Sequence, residues 1–344
     1  MSRDPILQDR ALSARRKRHA RRPERGERVE LNKRDLALFH GLFEARVMLR
    51  EQIAELFFYG SYDAAGKRLQ KLIKYRYLRE RRVTDRRGEY LPRWLSLAEP
   101  GFVALKAAGL VEARFTWDAV KNRLASSASS LAHDLDVVDL WCAFVRAIDA
   151  SRDHTLKDFS TWPYHYQFDA ISPRRNGSSI LLPDAFAVIE YDDDSEFSPF
   201  ASPLFFEWDR STEGRTILCD KAAGYDHFYR SGKFAERCGG TRKDVEAYPF
   251  RTIFAVKTEE RRNNLLEELA RPQRRPQLIA DQFWCTTWEE IRADPLGAIY
   301  LHIDDYLAAT KGTIYDPAQF ITKQRVLHRD ELVREKAVKR RLIG

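Results

Sequence analysis

Apolar positions begin to repeat with helical spacing at Asn32. Asn32 and Asp35 have capping-box spacing, with the shorter Asp in place of Glu, and Leu36, Phe39, Leu42 and Phe43 then fall on one face. The pattern predicts a second short helix over 50–58, with Ile53, Leu56 and Phe57 apolar, and a turn at Gly60-Ser61-Tyr62. A third helix is expected over 63–75. Leu69, Leu72 and Ile73 face inward, and Lys67, Arg68, Lys71, Lys74 and Arg76 make up a basic outer face. Two strand-like pieces, 77–84 and 89–97, flank Asp85-Arg86-Arg87-Gly88, which reads as a hairpin turn with a basic tip. Another helix follows Pro100.

Beyond residue 114 the pattern loosens. Residues 115–132 read as a linker, because 125–130 hold only Ala and Ser. A helix over 131–150 carries Leu135, Val138, Leu140, Trp141, Phe144, Val145 and Ile148 over much of its surface, so burial is expected. Strands are then predicted at 161–168, at 180–182 leading through Pro183-Asp184 into a hairpin partner at 185–191, and at 204–208, 251–256 and 283–286. Helices are predicted at 216–230, 259–269 and 288–293. This alternation predicts a mixed α/β layer with some parallel pairing. The segment from Lys323, with 8 basic and 3 acidic residues, reads as a solvated helix or tail.

Length and charge sharpen this picture. At about 150 residues per domain, 344 residues suggest two domains. Hydrophobic residues at 44% and charged residues at 32% exclude wholesale disorder. No apolar run approaches the roughly 18 residues of a membrane span, and the first thirty residues show no secretory pattern. Cys142, Cys219, Cys238 and Cys285 form no CxxC pair, so a cysteine zinc site and a disulfide framework are not expected. A cytoplasmic, reduced protein with no membrane partner is the expectation. Residues 1–114 carry 27 basic and 15 acidic side chains, whereas the remainder carries 32 and 36. A basic first third on a mildly acidic body points to a polyanion-binding module.

Three helices followed by a basic hairpin is the order of a winged helix-turn-helix. In that arrangement the third helix enters the major groove and its Lys and Arg side chains meet phosphates and base edges. Residues 1–30, with Arg16 and Arg18 inside the run Arg15-Arg16-Lys17-Arg18, read as a flexible arm suited to phosphate. A solvated basic face and a winged helix used for protein contacts are the alternatives.

Catalytic signatures are sparse. GxxxxGK[ST], HExxH and GxSxG are absent, and His133, His165 and His227 lack metal-ligand spacing. Fourteen tyrosines do not single out a nucleophile. One constellation is more specific. Asp184 opens a strand, and Glu207 and Asp209 alternate onto one face of another. Together they would offer Mg²⁺ three carboxylates, and Lys221 a cation one helix later. The bland reading makes Asp184 a strand opener and pairs Glu207 and Asp209 with Arg210, Arg215 or Lys221.

The chain resembles the replication-relaxation family of plasmid and mobile-element proteins. Three pieces carry the likeness: Ala64-Ala65-Gly66-Lys67-Arg68-Leu69-Gln70-Lys71-Leu72; Ala132-His133-Asp134-Leu135-Asp136-Val137-Val138-Asp139; and Leu182-Pro183-Asp184-Ala185 with Phe206-Glu207-Trp208-Asp209-Arg210-Ser211-Thr212, Lys221 and Tyr225. The resemblance implies plasmid replication and DNA relaxation, with a second domain similar to the PD-(D/E)xK nuclease fold. Where that motif has Glu-x-Lys, this chain has Glu207-Trp208-Asp209. Cleavage would therefore require Lys221 to act from the following helix.

The expected organisation is a basic arm (1–30), a winged-helix DNA-binding domain (31–114), a linker (115–132), an α/β nuclease-like domain (133–310) and a basic carboxy-terminal tail (311–344). The leading expectation is a double-stranded DNA-binding protein whose nuclease-like domain is non-catalytic and needs no cofactor. The rivals are an Mg²⁺-dependent endonuclease using Asp184, Glu207, Asp209 and Lys221, and a transcriptional regulator. A relaxase, a replication initiator and a second copy of the chain are the protein partners this reading leaves open.

Overall fold

The computed structural model describes residues 29–82, 93–124, 128–161, 167–172, 177–192, 200–211, 214–271, 280–311 and 323–342. They belong to two compact units, Met1–Leu135 and Asp136–Gly344. Residues 1–28 of the expected arm and the hairpin tip lie outside the described residues.

The first unit opens with α1 (Lys33–Ala45), β1 (Met48–Leu49), α2 (Arg50–Phe58) and α3 (Tyr62–Lys74). Then come β2 (Leu78–Arg81), β3 (Trp94–Leu97), α4 (Glu99–Ala107) and α5 (Trp117–Arg123). The three strands form an antiparallel sheet in the order β1-β3-β2. A full capping box starts α1: the Asp35 amide donates to Asn32 Oδ1 at 3.0 Å, and the Asn32 amide donates to Asp35 Oδ2 at 2.9 Å. The shorter Asp therefore spans the box. Asn32→Ala should cost about 1 kcal/mol of unfolding free energy, measured by denaturant titration. Leu38, rather than Leu36, completes the buried face with Phe39, Leu42 and Phe43. Gly101 lets α4 close on the strands, since a Cβ there would lie 2.6 Å from the Tyr77 carbonyl oxygen.

The stretch read as a linker, 115–132, contains α5 and the start of α6 (Ala128–Asp149). Thr116 caps α5, and Val120 and Leu124 are buried, with Leu124 packed against Val47, Trp94 and Leu131. Arg46 fastens this region. Its guanidinium donates to Asp134, to Ser130 Oγ at 2.8 Å and to the Arg123 carbonyl at 3.1 Å. Burial raises the Asp134 carboxyl to about 6, against the pull of Arg46.

The second unit is mixed α/β around a six-stranded sheet ordered β11-β10-β9-β8-β7-β4. Its strands are β4 (His154–Ser160), β7 (Ala185–Tyr191), β8 (Phe200–Asp209), β9 (Arg251–Val256), β10 (Phe283–Thr287) and β11 (Leu301–His302). β8 and β9 are parallel, as are β9 and β10, while the remaining pairs are antiparallel. Its helices are the body of α6, α7 (Arg215–Arg230), α8 (Lys233–Arg237), α9 (Glu259–Leu269), α10 (Trp288–Ala293), α11 (Ile303–Ala309) and α12 (Lys323–Lys336). Alternation along β8 sends Leu204, Phe206 and Trp208 to one apolar core with Val137, Leu140 and Phe144 of α6. Phe205 goes to the other core, with Leu218, Ala222 and Tyr225 of α7 and Leu265 and Leu266 of α9.

Two expectations need correction, and a third falls largely outside the described residues. Of the strand expected at 161–168, residues 162–166 lie outside the described residues; β4 ends before that stretch and β5 (Phe168–Ser172) begins at its last residue. The piece at 180–182 belongs to β6 (Gly177–Leu181), which pairs with β5 in a separate two-stranded sheet and not with β7. Phe168 stacks on Phe228 of α7, with centroids 3.9 Å apart, which gives β5 its own anchor. The segment from Lys323 is not merely solvated. Leu332 and Val333 of α12 are buried, and Arg329 donates to Glu267 at 2.7 Å and to Asn264 at 2.8 Å on α9.

Candidate nucleic-acid face and acidic site

The basic face of α3 is narrower than its sequence suggested. Ser61 caps the helix, and Ala65, Leu69 and Leu72 bury its inner stripe. Lys67, Lys71 and Lys74 stand exposed at helical spacings of four and three, with exposed Arg76 just past the helix. Lys67 pairs across one turn with Asp63 at 2.7 Å, both side chains mostly in water. Arg68 departs from this face. Its guanidinium pairs with Asp35, which is fully buried, and donates to the Glu30 carbonyl at 2.8 Å. Hydrogen bonding to Asp35 raises its pKa further. Arg16, Arg18, Arg86 and Arg87 lie outside the described residues.

The acidic residues sit at the carboxy-terminal end of β8. Parallel pairing sets Glu207 opposite Phe254 and Asp209 opposite Val256. Glu207 is buried and held twice: Lys221 Nζ donates to Oε2 at 2.8 Å and the Tyr225 hydroxyl donates to Oε1 at 2.6 Å. Both donors come from the same face of α7, one turn apart. Burial pushes the Glu207 carboxyl up to about 7. Lys221 opposes that rise, and the charge of Asp184 adds to it. The Tyr225 phenol is raised well above its usual range, chiefly by burial.

Asp184 and Asp209 are differently engaged. Asp184 Oδ2 accepts from the Trp208 amide at 2.7 Å, and its own amide donates to the Phe206 carbonyl at 3.0 Å. It thus fastens the start of β7 to the end of β8. Asp209 is buried and paired with Arg261 from the first turn of α9, and its Oδ1 accepts from the Ser211 amide at 3.0 Å. Lys221 therefore serves Glu207, and Arg261 serves Asp209. Among the described residues, no group of three or more His, Cys, Asp or Glu side chains is placed to hold a metal ion.

Arg261 was missed in the sequence, although a signal existed. The Thr258 hydroxyl accepts from the Arg261 amide at 3.2 Å and caps α9. A parallel strand ending at Val256 then brings that cap beside Asp209. On the opposite face of β8, Arg210 contacts Asp136 at 2.9 Å, and Arg292 pairs with Asp136 at 2.8 Å and lies over the Trp208 ring. Residues 184, 207, 221 and 225 thus meet at the end of β8 on one face of the sheet, and 136 and 210 meet on the other.

A family model described as replication-relaxation matches residues 39–243, more than half of the chain. No curated protein and no solved structure matches it. Among the described residues, no helix is long and apolar enough to cross a membrane.

Proposed function

The chain belongs to the replication-relaxation family, and on that premise we propose that it binds double-stranded DNA in the replication or relaxation of a plasmid or mobile element. The exposed row Lys67, Lys71 and Lys74 on α3 carries this reading. The element order around it, three helices followed by paired strands, is that of a winged helix-turn-helix, whose third helix occupies the major groove. Three ammonium groups on one helical face suit phosphates on either side of that groove. In the cell this function would need no cofactor; its protein partner would be a relaxase or a replication initiator.

Salt dependence tests the assignment. Each phosphate contact contributes about 0.9 to the slope of log affinity against log salt. Lys67→Ala/Lys71→Ala/Lys74→Ala should weaken duplex binding and lower that slope by about 2–3, measured by fluorescence anisotropy from 50 to 200 mM salt. Equal affinity and equal slope in the triple variant would place the DNA site elsewhere.

The second unit is read as a nuclease-like platform without cleavage activity. Its support is that Glu207 and Asp209 each have a dedicated cation, as in a structural network. An Mg²⁺-dependent endonuclease is the second reading, favoured by one observation: Asp184 and Glu207 are electrostatic neighbours with Lys221 in reach. A supercoiled-plasmid assay with Mg²⁺ separates the two. The platform reading expects no nicking, and nicking abolished by Asp184→Asn would reverse it.

A further inference from the structure

The opposite end of the six-stranded sheet holds a cavity that the acidic site does not use. It has a volume of about 830 Å³ and lies where β8, β9 and β10 begin. Ser202 on its wall is five residues from Glu207, about 16 Å along the strand. That volume falls within the range of small-molecule sites.

Its lining combines three kinds of group. Tyr191, Tyr229, Phe250 and Trp284 supply aromatic walls. Arg251 lies over the Trp284 ring, 4.9 Å from its centroid, and donates to Ser202 Oγ at 3.0 Å. Gln282 is buried, and neither atom of its amide has a hydrogen-bond partner among the described residues.

Arg251, half-buried, differs from the buried arginines of this unit. Arg262 donates to Glu290 at 3.0 Å, and Arg329 donates to Glu267 and Asp330 at 2.7 Å. Arg251 instead bonds a hydroxyl and stacks on an indole, while Asp281 acts on it only as a nearby charge. Burial lowers its pKa, whereas hydrogen bonding to Asp330 and Glu267 raises that of Arg329. A guanidinium offers five donors, and an anion entering the cavity would engage those that Ser202 leaves. Exposed Arg341 stands at the same cavity, whereas Arg340 is already tied to Asp305 at 2.6 Å.

We propose that this cavity binds a nucleotide, with the base between aromatic walls and the phosphate on Arg251 and Arg341. Flat aromatic faces stack any base, and arginine joins both stacking and phosphate binding. A free nucleotide and a nucleotide within a single strand share this chemistry. The proposal does not rest on duplex binding by α3.

The test uses the full chain carrying Lys67→Ala/Lys71→Ala/Lys74→Ala, so that α3 contributes nothing. Deoxyadenosine monophosphate is titrated by calorimetry and a labelled single-stranded hexanucleotide by anisotropy, with inorganic phosphate and deoxyadenosine as partial ligands. At least one of the two full ligands should bind more tightly than either partial ligand. Arg251→Gln and Arg341→Glu should each weaken it about tenfold or more. Binding of the mononucleotide identifies a free ligand, and binding of the hexanucleotide alone identifies a strand. Arg341 is exposed, so its variant decides the matter if Arg251→Gln fails to fold. No binding of either ligand, or binding indifferent to both substitutions, overturns the proposal.

Discussion

Arg68→Ala should destabilise the first unit by about 3–5 kcal/mol, because it leaves the Asp35 carboxylate buried without its cation. Asp35 is fully buried and already engaged with the Asn32 amide, so it cannot turn to water. Adding Asp35→Asn should recover much of the stability, since an amide retains the capping oxygen without the charge. Lys67→Ala should change stability by no more than about 0.5 kcal/mol, its pair with Asp63 being exposed. Urea titrations of the single and double variants measure all three values. An Arg68→Ala protein as stable as the wild type, with weakened duplex binding, would return Arg68 to the DNA face.

That contrast shows what the sequence could and could not reveal. Helical spacing placed Lys67, Arg68, Lys71 and Lys74 on one broad arc, and the structure splits that arc at Arg68. The deciding fact is a carboxylate 33 residues away, which no local pattern encodes. Elements with strong local signals are legible. Strand 185–191 and helix 259–269 appear at the bounds their periodicity and the Thr258 cap imply. β4 was missed for a physical reason. It is an edge strand, buried mainly through Phe159 and Ser160, and an irregularity between Leu156 and Asp158 breaks its alternation. The pairing of β6 with β5 rests on packing against α7, and register alone does not select it. Glu207 and Asp209 could be read together because alternation along one strand keeps them on a common face. Their separate cations, on two different helices, depend on the parallel crossovers that follow β8.

Stability of the second unit should fall as pH rises from about 4.5 to about 7, through the titration of Glu207. The sign follows from proton binding. A folded-state pKa raised above the unfolded value means that the folded chain holds the proton longer. Stability is then fully present below the unfolded pKa and is lost as pH climbs to the folded one. The slope is at most about 1.4 kcal/mol per pH unit. Glu207→Gln should remove this slope, because the amide mimics the protonated acid and still accepts from Tyr225. Lys221→Met should act in the opposite direction and more strongly. Without the ammonium, burial and the Asp184 charge outweigh the Tyr225 hydrogen bond and carry the carboxyl's pKa higher still, so the variant should lose about 3–5 kcal/mol above pH 7 and recover toward pH 5. Thermal melts of the three proteins between pH 4.5 and 8 provide the measurement. A Lys221→Met protein that matches the wild type throughout that range would show that the lysine does not neutralise Glu207. Its reach toward the acidic pair would then fit the endonuclease reading better than the structural one.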